Sequence, residues 1–78
     1  VNALAPGPIA TDALVGRVEA RHAAGGPSPA EAFGALARET ALGRIATEAD
    51  IANGALFLAS DLSGGITGKV LPIECGLA

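Results

Sequence analysis

Seventy-eight residues of formal net charge −3 allow one domain at most, and the five basic residues (Arg17, Arg21, Arg38, Arg44 and Lys69) are too scattered to make the basic patch of a nucleic-acid surface. Half of the residues are hydrophobic, mostly alanine with Leu, Ile and Val, alongside two Phe and no Trp, Tyr or Met; no apolar run approaches the roughly 20 residues that span a bilayer. Cys75 stands alone, which excludes an internal disulfide and a cysteine metal cluster.

Residues 1–5, Val-Asn-Ala-Leu-Ala, read as the end of a buried strand, and Pro6-Gly7-Pro8 ends it because two prolines fix φ and remove N–H donors. Thr11 is a good N-cap for a helix from about Asp12, whose acid suits the positive first turn. Leu14, Val15 and Val18 give that helix an apolar stripe, and Gly25-Gly26-Pro27 stops it. Ser28-Pro29-Ala30-Glu31 has capping-box spacing with proline at the first helical position. Phe33, Leu36, Ala37 and Thr40 then share one face, and Gly43 marks the end. Thr47-Glu48-Ala49-Asp50 repeats the start signal with Asp in place of the usual Glu. The helix that follows, 48–60, carries Ile51, Ala52, Ala55, Leu56, Leu58 and Ala59, a broad apolar face for a sheet. Ser63-Gly64-Gly65 is a turn, and residues 69–74 read as a strand whose Pro72 belongs at a sheet edge.

The order strand, helices, strand, with a crossover too long for a hairpin, implies parallel strands in a βαβ unit. Parallel sheets are covered on both faces, and the helix at 48–60 covers only one. The chain also opens on Val1 and contains no methionine. Both observations lead us to expect an incomplete domain, a piece of something longer.

Two stretches carry a family resemblance. The first is Val1-Asn2-Ala3-Leu4-Ala5-Pro6-Gly7-Pro8-Ile9-Ala10-Thr11. The second runs from Leu42 through Gly43-Arg44-Ile45-Ala46-Thr47-Glu48-Ala49-Asp50-Ile51-Ala52-Asn53, Ala55-Leu56-Phe57-Leu58-Ala59-Ser60-Asp61 and Gly65-Ile66-Thr67-Gly68-Lys69-Val70-Leu71-Pro72-Ile73. Both resemble the short-chain dehydrogenase/reductase family, in which they are the sixth strand with its Pro-Gly loop and the last helix with the seventh strand. The match is strong at both ends and loose over about Ala13–Thr40, where the family varies its substrate lid. The resemblance implies an α/β fold, the C-terminal βαβ portion of a Rossmann-type doubly wound parallel sheet, in which cofactor binds at the carboxyl ends of the strands.

On that resemblance, residues 1–11 are a strand and cofactor loop, 12–40 two substrate-lid helices, 48–60 the last helix and 69–74 the last strand. Pro6, Gly7, Ile9 and Thr11 would cradle the nicotinamide end of NAD or NADP. The backbone of Ile9 would bond the carboxamide, and the Thr11 hydroxyl would reach the carboxamide or a phosphate oxygen, in addition to its capping role. The family's Gly-x-x-x-Gly-x-Gly turn, its Tyr-x-x-x-Lys and the partner serine have no counterpart here; the sequence contains no tyrosine. No catalytic residue is therefore assigned, and the 78 residues alone are expected to be inactive. The family's Pro-Glu-Asp is replaced by Glu48-Ala49-Asp50, and its Asp-Gly-Gly by Glu74-Cys75-Gly76. These departures bear on local turns and the subunit interface more than on the reaction.

The expected parent is an NAD(P)-dependent oxidoreductase that moves hydride between nicotinamide and a small-molecule carbonyl/alcohol substrate. It would be cytoplasmic, bind neither nucleic acid nor membrane, and form a homo-oligomer (dimer or tetramer) through the last helix and strand. The alternative is a non-catalytic assembly module or inactive remnant that needs a partner to complete its sheet. A free-standing small α/β binding domain is a third reading, and it requires the resemblance to be accidental. His22 reads as a solvent-facing residue near a helix end and Cys75 as a small side chain at a strand end. Ser63-Gly64-Gly65-Ile66-Thr67-Gly68 leads into a strand instead of a helix, so it reads as a turn and not as a phosphate loop. No metal site is expected.

Overall fold

Two four-residue strands lie side by side in the computed structural model, which describes residues 1–77. They are β1 (Ala3–Pro6) and β2 (Val70–Ile73), paired in parallel with Ala3 opposite Val70 and Pro6 opposite Ile73. Three helices fill the crossover: α1 (Asp12–Ala23), α2 (Pro29–Arg38) and α3 (Glu48–Ala59), with a short 3₁₀ turn at Asp61–Ser63. The fold is α/β, as the sequence implies. Pro72 lies opposite Ala5. In a sheet of two strands both are edges, so the position of Pro72 follows from the size of the sheet.

The ladder reaches past the assigned strand ends. The Ala3 amide donates to the Lys69 carbonyl and the Gly7 amide to the Ile73 carbonyl, both at 2.9 Å. Asn2 fixes the turn that feeds β2. Its side-chain amide donates to the Ile66 carbonyl at 3.1 Å, and its side-chain oxygen accepts from the Lys69 amide at 3.0 Å.

The three helix starts form where the caps lie, although the second cap is built differently from its spacing. The Thr11 hydroxyl accepts from the Leu14 amide at 3.3 Å. At α3 the reciprocal box is complete: Thr47 Oγ1 accepts from the Asp50 amide at 3.1 Å, and Asp50 accepts from the Thr47 amide at 2.9 Å. At α2 only half of the box forms. Ser28 Oγ accepts from the Glu31 amide, but Glu31 accepts from the Ser28 hydroxyl at 3.0 Å instead of from the Ser28 backbone.

Helix α2 ends at Arg38, earlier than Gly43 suggested. Thr40 ends it by turning its hydroxyl back on the Ala37 carbonyl at 2.8 Å. Gly43 instead serves the following turn at φ +72°, a left-handed angle that glycine takes without a Cβ penalty. α3 stops at Ala59, one residue short of expectation, and β2 is trimmed to Val70–Ile73 within the expected 69–74.

Packing divides the chain in two. α3 lies on β1 and β2, while α1 and α2 lie on each other and, among the described residues, on neither the sheet nor α3. In α1 the stripe Leu14, Val15, Val18 turns inward, with Val18 buried. The broad apolar face expected of α3 is corrected. Besides Asp50, Ile51, Gly54 and Leu58 are its half-buried residues, and Ala52, Ala55, Leu56 and Ala59 are exposed. The reason is geometric: Gly54 lets the helix settle against Ile73 and Leu4, so the close contact runs through i, i+3 and i+7 and not through the alanines.

Among the described residues, only Val18 and Ala46 of the apolar side chains are buried, and no large side chain is fully enclosed. Leu56, Leu62, Val70 and Leu42 are each more than three-fifths exposed. The accessible surface is 5159 Å², against roughly 4,300 Å² for a compact 7.6 kDa protein. The radius of gyration is 15.1 Å, against about 11.5 Å for a compact chain of this length.

Candidate functional site

The four residues expected at the cofactor loop follow one another from the carboxyl end of β1 into α1. Pro6 is the last residue of β1 and is exposed. Gly7 continues the ladder with its bond to Ile73 and lies flat against Glu74; a Cβ at residue 7 would sit 2.7 Å from the Glu74 Cβ and 3.0 Å from its Cα. A side chain there would push the loop off the strand end. Ile9 is half-buried and bridges Ala46 in parallel, and its carbonyl accepts from the Thr11 amide at 2.8 Å. Thr11 is half-buried and caps α1.

The hydrogen-bonding capacity of this loop can be counted. The Ile9 carbonyl has spent one of its two lone pairs. The Thr11 hydroxyl accepts from Leu14, which leaves its proton to donate outward. Val15 bonds the Thr11 carbonyl at 2.9 Å, so the first helical amides, those of Asp12 and Ala13, lie ahead of the intrahelical ladder. One acceptor, one hydroxyl donor and a helix N-terminus fit a neutral amide beside an anionic oxygen, the chemistry of a nicotinamide carboxamide and its phosphate. Both loop ends are fixed, by the strand ladder at Gly7 and by the helix at Thr11, so little ordering is left for a ligand to impose.

Two concavities flank the loop. One, of about 410 Å³, lies between α1 and α2 and is lined by Pro8, Leu14, Val18, Ala32 and Leu36, with Arg21 and Glu39 among its polar residues. The other, about 470 Å³, lies between α3 and the end of β2 and is lined by Phe57, Leu71 and Ile73 with Arg44, Asp50 and Glu74. Neither includes Pro6, Gly7, Ile9 or Thr11.

The main electrostatic feature was not read from the sequence. Arg44 Nη1 donates to Asp50 Oδ2 at 2.7 Å. That hydrogen bond and the one from the Thr47 amide hold the Asp50 carboxyl at about 2, below its usual 3.8, and Asp50 in turn raises the Arg44 guanidinium. A separation of six residues falls outside the helical i, i+4 rule, so no spacing signal pointed to the pair. His22 is exposed as expected, with Nδ1 3.2 Å from the Gly26 carbonyl. Among the described residues, none of the helices is long and apolar enough to cross a membrane.

The chain is similar to known proteins over its whole length. The family model described as enoyl-(acyl carrier protein) reductase matches residues 1–78. The chain is 35% identical over its whole length to the enoyl-(acyl-carrier-protein) reductase (NADH) of Haemophilus influenzae, covering 26% of that protein. It is 36% identical over 95% of its length to a 3alpha-hydroxysteroid dehydrogenase of Mediterraneibacter gnavus, covering 25% of it. A crystal structure of a short chain dehydrogenase family protein from Francisella tularensis subsp. tularensis SCHU S4 superposes with a TM-score of 0.85 at 35% identity, over 96% of this chain and 31% of that one. The chain thus spans about a quarter of the length of these curated relatives.

Proposed function

The chain belongs to the short-chain dehydrogenase/reductase family, and on that premise we propose that the whole protein is an NAD(P)-dependent oxidoreductase moving hydride between the nicotinamide and a carbonyl/alcohol substrate. The observation that carries this reading is the loop Pro6–Thr11: it leaves the carboxyl end of a parallel strand, is fixed at both ends, and turns one lone pair, one hydroxyl proton and a helix N-terminus outward. When bound, the nicotinamide supplies the hydride chemistry.

This chain's residues bind and orient. Pro6 and Gly7 bring the backbone past Glu74 without a side chain in the way. The Ile9 backbone bonds the carboxamide and so selects one face of the ring. The Thr11 hydroxyl donates to the carboxamide or to a phosphate oxygen while continuing to cap α1. The α1–α2 hairpin, with its apolar groove, lies over the substrate as a lid. The outer side of α3 and the free edge of β2 form the homo-oligomer contact. Proton transfer falls to residues outside this segment, so the 78 residues alone transfer no hydride.

The family model named for an enoyl reductase favours a second reading, in which the hydride acceptor is a carbon–carbon double bond conjugated to a thioester. Oxidation of reduced cofactor by the whole protein separates the two. Turnover with ketones or aldehydes supports the first, turnover with enoyl thioesters supports the second, and consumption with neither class contradicts the oxidoreductase reading.

A further inference from the structure

Residues 40–46 run from the end of α2 to the start of α3 and are tied to three separate parts of the chain. Thr40 is buried, with 9% of its surface exposed. Its hydroxyl lies 2.8 Å from the Ala37 carbonyl and 2.9 Å from the Arg44 carbonyl, sharing one proton between them, and it accepts from the Arg44 amide at 3.0 Å. Three groups thus meet at one oxygen, and the turn closes on itself around it. On one side the turn is bonded to the chain after β2. Thr40 bridges Leu77, the Ala41 amide donates to the Gly76 carbonyl at 2.9 Å, and the Leu42 amide donates to the Cys75 carbonyl at 3.1 Å. On the other side Ala46, only 2% exposed, bridges Ile9 in the cofactor loop. The Arg44–Asp50 pair fixes the same segment to the first turn of α3.

We propose that Thr40–Ala46 is a strap that sets the position of the Ile9 backbone, with Thr40 as its knot: the strap hangs from the Cys75–Leu77 segment and bears on Ile9 through Ala46. Thr40 is a positioning residue, since it reaches the loop only through the strap. The inference rests on the reading of Pro6–Thr11 as the cofactor loop. Replacing the hydroxyl by a methyl group leaves the Arg44 amide and carbonyl without their partner, the Ala37 carbonyl keeping the Thr40 amide, and the turn opens to hydrate them. Ile9 then loses its backstop, and a carbonyl that must meet the carboxamide within hydrogen-bonding distance is no longer held there.

The test uses the whole protein and reduced nicotinamide nucleotide as the probe. Thr40→Val is expected to raise the cofactor dissociation constant about three- to tenfold, the worth of roughly one lost hydrogen bond, while kcat at saturating cofactor stays within about twofold, and Thr40→Ser restores binding. Gly76→Ala perturbs the strap from its other end, because a Cβ there would lie 2.6 Å from the Ala41 Cβ; it is expected to weaken binding in the same direction and carries the test if Thr40→Val does not fold. Thr11→Val is measured in parallel. If Thr11→Val weakens binding and neither strap variant does, the strap is only structural and the proposal fails alone. If Thr11→Val leaves binding unchanged, the cofactor-loop reading fails and the strap proposal falls with it.

Discussion

At Cys75 the backbone sits at φ +56°, the only left-handed angle at a non-glycine residue among the described residues. A Cβ in that conformation crowds the following carbonyl and costs roughly 1–2 kcal/mol. The resemblance places glycine there, in an Asp-Gly-Gly whose counterpart is Glu74-Cys75-Gly76, so the departure visible in the sequence coincides with strain in the structure. Glycine gives back part of the gain through a freer unfolded chain. Cys75→Gly in the whole protein is therefore expected to raise stability by about 0.5–1 kcal/mol, measured by chemical denaturation. Asp50 makes a second prediction. Its carboxyl is held at about 2 in the folded chain against 3.8 in the ordinary case, so the folded state binds the proton less readily than the unfolded one. The contribution is fully present above about pH 4 and is lost as pH falls towards 2. Arg44 is shifted upward and stays charged throughout this window. In Asp50→Asn the stability profile should flatten between those pH values, and the difference from the parent should be greatest near neutrality. An unchanged acid profile would mean that the pair does not couple to folding. The pair is partly exposed, with side chains 51% and 28% accessible, so salt weakens the effect.

Element boundaries were legible where a single cap decides them. Thr11, Ser28 and Thr47 each begin a helix, because one oxygen satisfies an amide that would otherwise have no partner. The end of α2 was not legible, because the Thr40 hydroxyl that turns back on Ala37 is also bonded to Arg44, in a turn that no local pattern encodes. The face of α3 was misread for a similar reason. Alanine at 52, 55 and 59 looks like a sheet-packing stripe, but the contact centres on Gly54, whose lack of a side chain carries no hydrophobic signal. Gly54 therefore makes a prediction at this scale. Alanine there gains helix propensity and crowds only the movable end of the Ile73 side chain, its contact with Leu4 being of ordinary length, so Gly54→Ala should be nearly neutral. Gly54→Val adds branching that Ile73 and Leu4 together leave no room for, and should cost about 1–3 kcal/mol by overpacking. Equal thermal shifts for the two variants would contradict the close approach of α3 to the sheet.

Considered whole, the chain is extended: 49 Å in its longest dimension, with a helical hairpin making no contact with the sheet and an apolar side of α3 facing outward. The need for further covering was legible from strand count alone, since a two-stranded parallel sheet with one helix leaves a face bare. The candidate site was legible only as far as the order of the loop residues. Pro6, Gly7, Ile9 and Thr11 follow one another from strand to helix, but the strap behind Ile9 depends on pairings across 30 or more residues that no local pattern encodes. Produced by itself, the 78-residue segment should associate or unfold without a sharp transition; a monomer with one cooperative thermal transition would show that the exposed apolar side needs no cover. The measurement closest to the proposed function is fluorescence titration of the whole protein, and of its Thr11→Val variant, with NADH and NADPH. Saturable binding that weakens about tenfold in the variant, the worth of one hydrogen bond to a partly charged ligand, is the expected result. Binding that is absent, or indifferent to Thr11, would contradict the assignment of Pro6–Thr11 as the cofactor loop.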